Sequence, residues 1–268
     1  ADLDPLRRTP GVRLRLVGSV RELGRPDAVV LAGSRNTSED LIWLRSRGLA
    51  QAIVALARGG MPVVGICGGY QMLGRRLLDP ERQESARPEV EGLGLLPVET
   101  VFRKGKVTCR SLGRLAPLPG PLGALVGEPL AGYEIHSGLT RPLGAARPFL
   151  SGVTRRGAPW LDEAPGPARG VAPASAPLGP EDGCVSPDGL VIGTYFHGLF
   201  DNARFRLAWV NALRARRGWA PLALPPPPAP GAEPVTERER REREFDRLAD
   251  WARSALDLGF VRRAAGLA

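Results

Sequence analysis

The stretch that decides the fold runs from Pro62 to Gly74 and reads Pro-Val-Val-Gly-Ile-Cys-Gly-Gly-Tyr-Gln-Met-Leu-Gly. An apolar, β-branched run ends in Gly-x-Cys-x-Gly and passes directly into a helical pattern. This is the pattern of a nucleophile elbow, a sharp strand-to-helix turn, with cysteine in place of serine. Small residues on both sides of Cys67 permit the strained turn that lifts its side chain clear of the backbone. We therefore predict that Cys67 is a catalytic nucleophile.

The predicted position of Cys67 at the start of a helix supports this role. Free N–H groups and the helix dipole favour a thiolate there, and the same N–H groups can hold a developing oxyanion. A buried structural cysteine in a βα turn is the alternative interpretation. The glycine pair and Gln71, four positions on, favour the nucleophile. Cys109 and Cys184 lack such a glycine pair, and we interpret both as incidental.

Composition narrows the class of protein. A chain of 268 residues with 43% hydrophobic content can bury a full core. No apolar stretch reaches membrane-spanning length, and the first residues do not resemble a signal peptide, so we expect no membrane partner. Three cysteines at irregular spacing form neither a disulfide framework nor a zinc motif, so we expect no metal and favour a reducing cytoplasm.

The net charge of +9 raises the question of nucleic-acid binding. Nearly all the cationic residues are arginine, since only Lys104 and Lys106 are lysine, which is typical of a GC-rich coding bias. Arginine also alternates with glutamate through residues 237–244, as on a solvated helix face. We therefore expect no nucleic-acid partner.

Strand and helix patterns alternate in the first third of the chain. Strands are predicted over residues 12–17, 28–32 and 63–66, and helices over 38–58 and 70–78. Such alternation implies right-handed βαβ units. The predicted fold class is α/β, an open and mostly parallel sheet with helices on both faces.

The remainder of the chain is less regular. Residues 92–106 and 132–140 resemble strands and loops of a mixed sheet, and residues 141–187 form a Pro/Ala/Gly-rich insertion without an assigned structure. A further strand is predicted over residues 190–198, followed by a helix over 202–216. Both end the main domain.

We divide the chain into a main domain over residues 1–220, a Pro-rich linker over 221–235 and a C-terminal helix within 236–268. Thr236 and Glu239 form a capping box at the start of that helix. We expect the helix to dock on the main domain through an apolar stripe. The stripe consists of Phe245, Leu248, Ala249, Ala252 and Leu256.

Three sites that could carry chemistry follow predicted parallel strands, whose carboxyl ends meet at one edge of a sheet. They are Gly33-Ser34, Cys67 and His197. His197 ends an apolar strand and precedes a glycine, so we predict that it is the acid and base that the thiol needs. A capping or core histidine is the alternative. We interpret His136 as a substrate-pocket residue, with a plain turn as the alternative.

These residues carry a resemblance to class I (flavodoxin-like) glutamine amidotransferases, and within them to the glutaminase domains of cobyric acid synthases. The resemblance covers most of the chain, in four motifs that occur in the family's order. They are Leu-Ala-Gly-Ser-Arg-Asn-Thr at 31–37, Gly-Ile-Cys-Gly-Gly-Tyr-Gln at 65–71, Tyr-Glu-Ile-His-Ser-Gly at 133–138 and Gly-Thr-Tyr-Phe-His-Gly-Leu-Phe at 193–200. The terminal helix around residues 245–250 is similar too.

The resemblance implies a chemistry. Cys67 attacks the side-chain amide of L-glutamine, ammonia is released, and His197 assists. Backbone N–H groups of Gly33, Ser34 and Gly68 form the oxyanion hole. The implied substrate-binding residues are Gln71, Tyr133, His136, Ser137 and Gly138. The ammonia then amidates carboxylates of a corrinoid substrate in an ATP-dependent step of cobalamin biosynthesis.

Two departures from the wider amidotransferase pattern matter. Most such enzymes carry a glutamate two residues after the histidine, whereas Leu199 occupies that position here, which makes the predicted site a Cys–His dyad. Asp201 is the residue that we consider for orienting His197. The sequence also lacks a phosphate-binding Gly-x-x-x-x-Gly-Lys-[Ser/Thr] loop. We expect no cofactor in this chain, with ATP and magnesium bound by an upstream synthetase domain.

Three alternatives stay open at this point. The chain could be the glutaminase part of a cobyrinic acid a,c-diamide synthase or of a cell-wall amidating complex. A protein of another class, a regulatory or binding module, could keep this fold without turnover. A cysteine hydrolase with a different substrate is the third.

Overall fold

The computed structural model describes residues 2–158, 179–229 and 237–257, together with residues 259, 260, 263 and 266. The predicted capping box at Thr236 lies outside these residues. So do residues 159–178 of the predicted insertion and residues 230–235 of the predicted linker. Within the described part of the chain, no helix is both long enough and apolar enough to cross a bilayer.

The first sheet contains the strands that the elbow motif predicts. It is built from β1 (Val29–Leu31), β2 (Val63–Ile66), β8 (Cys184–Val185) and β9 (Val191–Thr194), in the order β1-β2-β9-β8. The pairs β1–β2 and β2–β9 are parallel, and β8 is antiparallel to β9. All residues of β2 and β9 are buried, which explains their continuous apolar runs. The carboxyl ends of β2 and β9 therefore lie side by side.

Helices precede and follow the strands of this sheet along the chain. They are α1 (Asp4–Arg7), α2 (Val20–Leu23), α3 (Thr37–Ser46), α4 (Leu49–Arg58), α5 (Gly68–Leu73), α6 (Ala203–Arg216) and α7 (Glu237–Ala255). Two 3-10 helices lie at Gly120–Leu125 and Leu199–Asp201. The parallel strands and intervening helices confirm the predicted α/β class.

A second, mixed sheet accounts for the less regular middle of the chain. Its strands are β3 (Arg76–Leu78), β4 (Glu89–Glu91), β5 (Val98–Leu115), β6 (Pro129–Pro142) and β7 (Leu150–Ala158). The order is β4-β3-β5-β6, and β7 also pairs with β5. Only β3–β5 is parallel. The predicted insertion thus contains β7 and β8, which sequence reasoning left without structure.

Three predicted elements differ in the structure. Residues 12–17 belong to no strand, because this alternating segment has no ladder partner among the described residues. The predicted helix over residues 38–58 is two helices, since Gly48 adopts a left-handed conformation with φ of 69° between them. The helix after the elbow is also shorter than predicted, and residues 76–78 form β3 instead.

The apolar stripe of α7 is exposed. Phe245, Leu248 and Leu256 are 60%, 57% and 51% exposed, so the described residues do not cover the stripe. Docking of this helix on the main domain stays a prediction. The exposure of these three side chains does not support it.

Glycines let α5 approach the first sheet closely. A Cβ on Gly69 would lie 2.0 Å from the carbonyl oxygen of Leu31, and a Cβ on Gly193 would lie 2.0 Å from Cδ2 of Tyr70. No larger residue fits at either position without movement of its neighbours. Backbone contact between α5 and β1 therefore holds the start of the helix at the edge of the sheet.

We predict that Gly69→Ala lowers the free energy of unfolding by about 1–3 kcal/mol or more, because its methyl group meets backbone rather than a flexible side chain. Gly18→Ala is the matched control, since its Cβ would have only an ordinary 3.7 Å contact with Glu22. Urea denaturation of both variants measures the difference. Equal midpoints would contradict the packing described.

Candidate active site

Cys67 occupies a strained turn between β2 and α5. Its φ of 53° and ψ of −111° lie in a region that non-glycine residues rarely adopt, at a cost of about 1–3 kcal/mol. Two backbone hydrogen bonds hold the turn. The N–H of Cys67 donates to the Thr194 carbonyl of β9 at 2.8 Å, and the Cys67 carbonyl accepts from the N–H of Gln71 at 3.0 Å. The predicted elbow geometry is therefore present.

The three predicted oxyanion residues lie together beside this turn. A Cβ on Gly68 would lie 2.9 Å from the backbone nitrogen of Ser34. A Cβ on Gly33 would lie 3.0 Å from Cε1 of His197 and 3.8 Å from Cβ of Cys67. The segment after β1 thus packs against the turn and the imidazole at once, and a side chain at Gly33 would crowd the ring of His197.

His197 follows β9 and is fixed to β6 through its backbone. Its N–H donates to the Tyr133 carbonyl at 2.9 Å, and its carbonyl accepts from the Tyr133 N–H at 3.2 Å. The rings of Tyr133 and His197 also stack, with centroids 4.9 Å apart and 13° between the planes. The structure therefore brings His197, Cys67, Gly33 and Tyr133 into one site.

Asp2 is a member of this site that sequence reasoning missed. Its Oδ2 lies 2.8 Å from Nδ1 of His197, and its Oδ1 accepts a 3.0 Å hydrogen bond from the N–H of Gly198. A single aspartate 195 positions from the histidine has no motif to identify it. Asp201, which we considered for this contact, has Oδ2 3.2 Å from the Cβ position of Gly198 instead.

The surroundings of His197 favour its protonated form. Burial alone would lower its pKa, but the hydrogen bond and charge of Asp2, together with the interaction with Cys67, raise the pKa of His197 to about 9. Burial raises the pKa of Asp2, yet His197 and the Gly198 N–H outweigh it and hold that pKa below its usual value. At neutral pH the imidazole can therefore act as a proton donor.

Gln71 and Gly138 lie together deeper in the site. Thr37 Oγ1 donates to Oε1 of Gln71 at 2.8 Å, and Nε2 of Gln71 donates to the Tyr195 hydroxyl at 3.0 Å. A Cβ on Gly138 would lie 2.5 Å from Nε2 of Gln71. The amide of Gln71 is thus oriented by protein groups. Ser137 is half-buried on β6 next to Gly138.

His136 is not brought to Cys67. It lies within β6, not in a turn, and is buried. Its Nδ1 is 2.8 Å from the Gly138 carbonyl and its Nε2 is 3.4 Å from Oε2 of Glu134. Its ring stacks on Tyr195 at 3.7 Å between centroids. A direct contact between His136 and substrate stays a prediction, since none of these contacts reaches the thiol.

The predicted nucleophile, Cys67, is covered in this structure. Cys67 and His197 are only 6% and 8% exposed, and the thiol lies 3.5 Å from the Ile135 carbonyl of β6. The Ile135 carbonyl is therefore one of the groups that cover the thiol. Among the described residues, no group of three or more His, Cys, Asp or Glu side chains could hold a metal ion.

Comparison with known proteins identifies the family of the chain. Residues 1–205 match the family model described as "CobB/CobQ-like glutamine amidotransferase domain". The chain belongs to this family. It is therefore a glutamine amidotransferase domain, which is an enzymatic class of domain.

Its curated relatives are named cobyric acid synthase. The one from Pelotomaculum thermopropionicum is 43% identical and aligns over 99% of this chain and 46% of its own length. The one from Yersinia enterocolitica is 40% identical over 96% of this chain and 45% of its own length. The amidotransferase domain therefore spans about half the length of the relatives that it matches.

Two solved structures are also similar. One, titled "Crystal structure of glutamine amidotransferase", has a TM-score of 0.47 and 15% identity and covers 81% of this chain and 88% of its own. The other, PurLQS from Thermotoga maritima, has a TM-score of 0.48 and 16% identity and covers 73% of this chain and 79% of its own.

We predict that a diazo-ketone analogue of glutamine labels Cys67 before the other two cysteines. Burial raises the pKa of Cys109 and raises that of Cys184 to about 11, so neither supplies much thiolate at neutral pH. Peptide mass spectrometry after short exposure measures the order. Cys67→Ala is the control and should lose the fast label, and faster labelling of Cys109 or Cys184 in the parent would contradict the assignment.

Proposed function

We propose that this domain hydrolyses L-glutamine and supplies the ammonia to a cobyric acid synthase. The observation that carries the proposal is the pairing of Cys67, in its strained turn, with a charged His197 at the end of the neighbouring strand. Membership of the amidotransferase family and the names of the curated relatives support the same reading.

The first step forms a covalent bond to the thiol. The Cys67 thiol has passed its proton to His197, and the thiolate sulfur attacks the side-chain amide carbon of glutamine while the electron pair of the C=O bond moves to oxygen. Backbone N–H groups of Gly68 and Ser34 are the proposed donors to that oxyanion, a contribution of about 3–4 kcal/mol per donor in other enzymes. The contact of Gly68 with the Ser34 nitrogen supports this pairing, and Gly33 leaves the space open.

His197 then moves the protons. Its imidazolium donates a proton to the amide nitrogen, the C–N bond breaks, and ammonia leaves a glutamyl thioester on Cys67. The neutral imidazole next removes a proton from water, whose oxygen attacks the thioester. The adduct collapses, the C–S bond breaks, glutamate leaves, and the thiolate and imidazolium are restored. A pKa of about 9 suits the first of these steps, because the proton donor is already charged at neutral pH.

Residues of β6 are the proposed contacts for the glutamine backbone. Tyr133 covers one face of His197, and Ser137 and Gly138 continue the strand towards Gln71. His136 is the predicted member of this group with least direct access, and we propose that it supports Tyr195 and Gly138 from behind. Binding then displaces the Ile135 carbonyl from the thiol.

The fate of the ammonia lies with the rest of the protein. We propose that a synthetase part of the complete protein binds ATP and magnesium and activates carboxylates of a corrinoid, which the ammonia amidates. The half-length match to the relatives supports such a division. Three free cysteines are consistent with a reducing cytoplasm as the place of action.

The alternatives differ in measurable products. A cobyrinic acid a,c-diamide synthase would place its amides at the a and c positions, and a cell-wall amidating enzyme would not use a corrinoid at all. A regulatory module would hydrolyse no glutamine. A cysteine hydrolase of another class would release no ammonia from glutamine.

The test is an amidation assay on the complete protein with corrinoid and ATP, supplied with either glutamine or ammonium. We predict that Cys67→Ala and His197→Asn each lower glutamine-dependent amidation by about 10²-fold or more and leave ammonium-dependent amidation intact. The reason is that only the release of ammonia needs the thiol and the imidazole.

Cys184→Ala is the matched control and should retain both activities, since Cys184 is buried in β8 away from the site. Undiminished glutamine use by Cys67→Ala would refute the proposed function. Loss of both activities in His197→Asn, with the fold intact, would assign that residue to the synthetase reaction instead.

A further inference from the structure

We propose that Asp2 is the positioning residue of His197, so that the site operates as a Cys67–His197–Asp2 triad rather than a dyad. The inference rests on the proposed glutaminase function and adds a residue to it. Asp2 itself touches neither the thiol nor the predicted oxyanion donors, and it acts through the imidazole.

The carboxylate of Asp2 is fixed at two points. One oxygen meets Nδ1 of His197 and the other accepts the N–H of Gly198, so neither can turn away without losing a hydrogen bond. Its side chain is only 14% exposed, which limits competition from water. A charge-assisted contact of this kind is about twice as strong as a neutral hydrogen bond. It places the imidazole proton on Nδ1.

The other ring atoms of His197 are held by different groups. Gly33 lies against Cε1, and the ring of Tyr133 covers one face. Nε2 is buried and has no hydrogen-bond partner among the described residues. Because Asp2 fixes the tautomer, Nε2 is the nitrogen left to exchange protons with Cys67 and the substrate.

Most class I glutamine amidotransferases carry a glutamate two residues after the histidine, and this chain has no carboxylate at that position. Leu199 stands two residues after the histidine and is completely buried. Asp2 approaches from the opposite end of the sequence, just before α1. Pro5 and Leu6 of that helix are buried, and Thr9 Oγ1 donates to the Pro5 carbonyl at 2.8 Å. These contacts anchor the segment that carries Asp2.

The charged and titratable groups that interact with His197 are accounted for. The ion pair of its ring is with Asp2, and Cys67 is the other group that raises its pKa. Removing the Asp2 charge should therefore leave the lowering effect of burial opposed only by Cys67.

The first test is the titration of His197 by NMR in the complete protein, with histidine labelled and its resonance assigned by its loss in His197→Asn. We predict that Asp2→Asn lowers the pKa of His197 from about 9 by more than about one unit. The neutral ring should also lose its preference for the Nδ1–H tautomer. An unchanged pKa and tautomer would overturn the proposal, whatever the activity.

The second test is kinetic. Asp2→Asn should lower kcat for glutamine hydrolysis by about 10²-fold with little change in KM, since Asp2 does not contact the substrate. The basic limb of the pH profile should move to lower pH with the pKa of His197. Asp2→Glu keeps the charge and should restore part of the rate. Ammonium-dependent amidation should be unchanged in both variants, which reports an intact fold.

Asp4→Asn is the matched control, because Asp4 is an exposed acid in the same segment, and it should retain the parent rate. A loss smaller than about threefold in Asp2→Asn overturns the positioning role. An equal loss in Asp4→Asn overturns it too, since the effect would then belong to the segment. Retention of glutamine turnover by Cys67→Ala is a separate outcome that removes the proposed function itself.

Discussion

The strained backbone of Cys67 is the constraint on which the rest of the site depends. A non-glycine residue at φ of 53° persists only where neighbouring structure holds it. Here the conformation of Cys67 is maintained by contacts between backbone groups. The N–H of Cys67 donates a hydrogen bond to the Thr194 carbonyl, and Gly69 allows α5 to approach the carbonyl of Leu31. Because these contacts involve three strands of the parallel sheet, the sheet as a whole fixes the direction of the thiol.

The second sheet supplies the remaining contacts around the site at the strand ends of the first sheet. Its strand β6 passes over the strand ends, where Tyr133 forms an isolated bridge with His197 and Ile135 covers the thiol. The imidazole is therefore held by two segments, by β6 through the backbone hydrogen bonds and stacked ring of Tyr133, and by Asp2 through Nδ1. This arrangement fixes the imidazole ring but also covers the thiol. Strand β6 is therefore involved both in orienting the base and in the access of glutamine to the site.

The sequence predicted those parts of the site whose geometry depends on neighbouring residues in the chain. The elbow at Cys67 and the strand before His197 follow from short runs of glycine and β-branched residues, which act within a few positions. Contacts between distant segments were out of reach: no periodicity connects Asp2 with a histidine near the other end of the chain. His136 was interpreted as a substrate-pocket residue because hydrogen-bonding groups and a glycine flank it, and the family resemblance implies the same role. The side that its ring faces depends on the pairing of β6 with β5, which the sequence does not encode locally.

The most direct measurement of the central claim is the capture of the covalent intermediate. Radiolabelled glutamine is mixed with the complete protein, quenched in acid at short times, and the peptides are identified by mass spectrometry. The account predicts a glutamyl thioester on the peptide that contains Cys67, formed and consumed at rates compatible with turnover. Glutamine hydrolysis without any adduct on Cys67, or with the adduct on another residue, would contradict it.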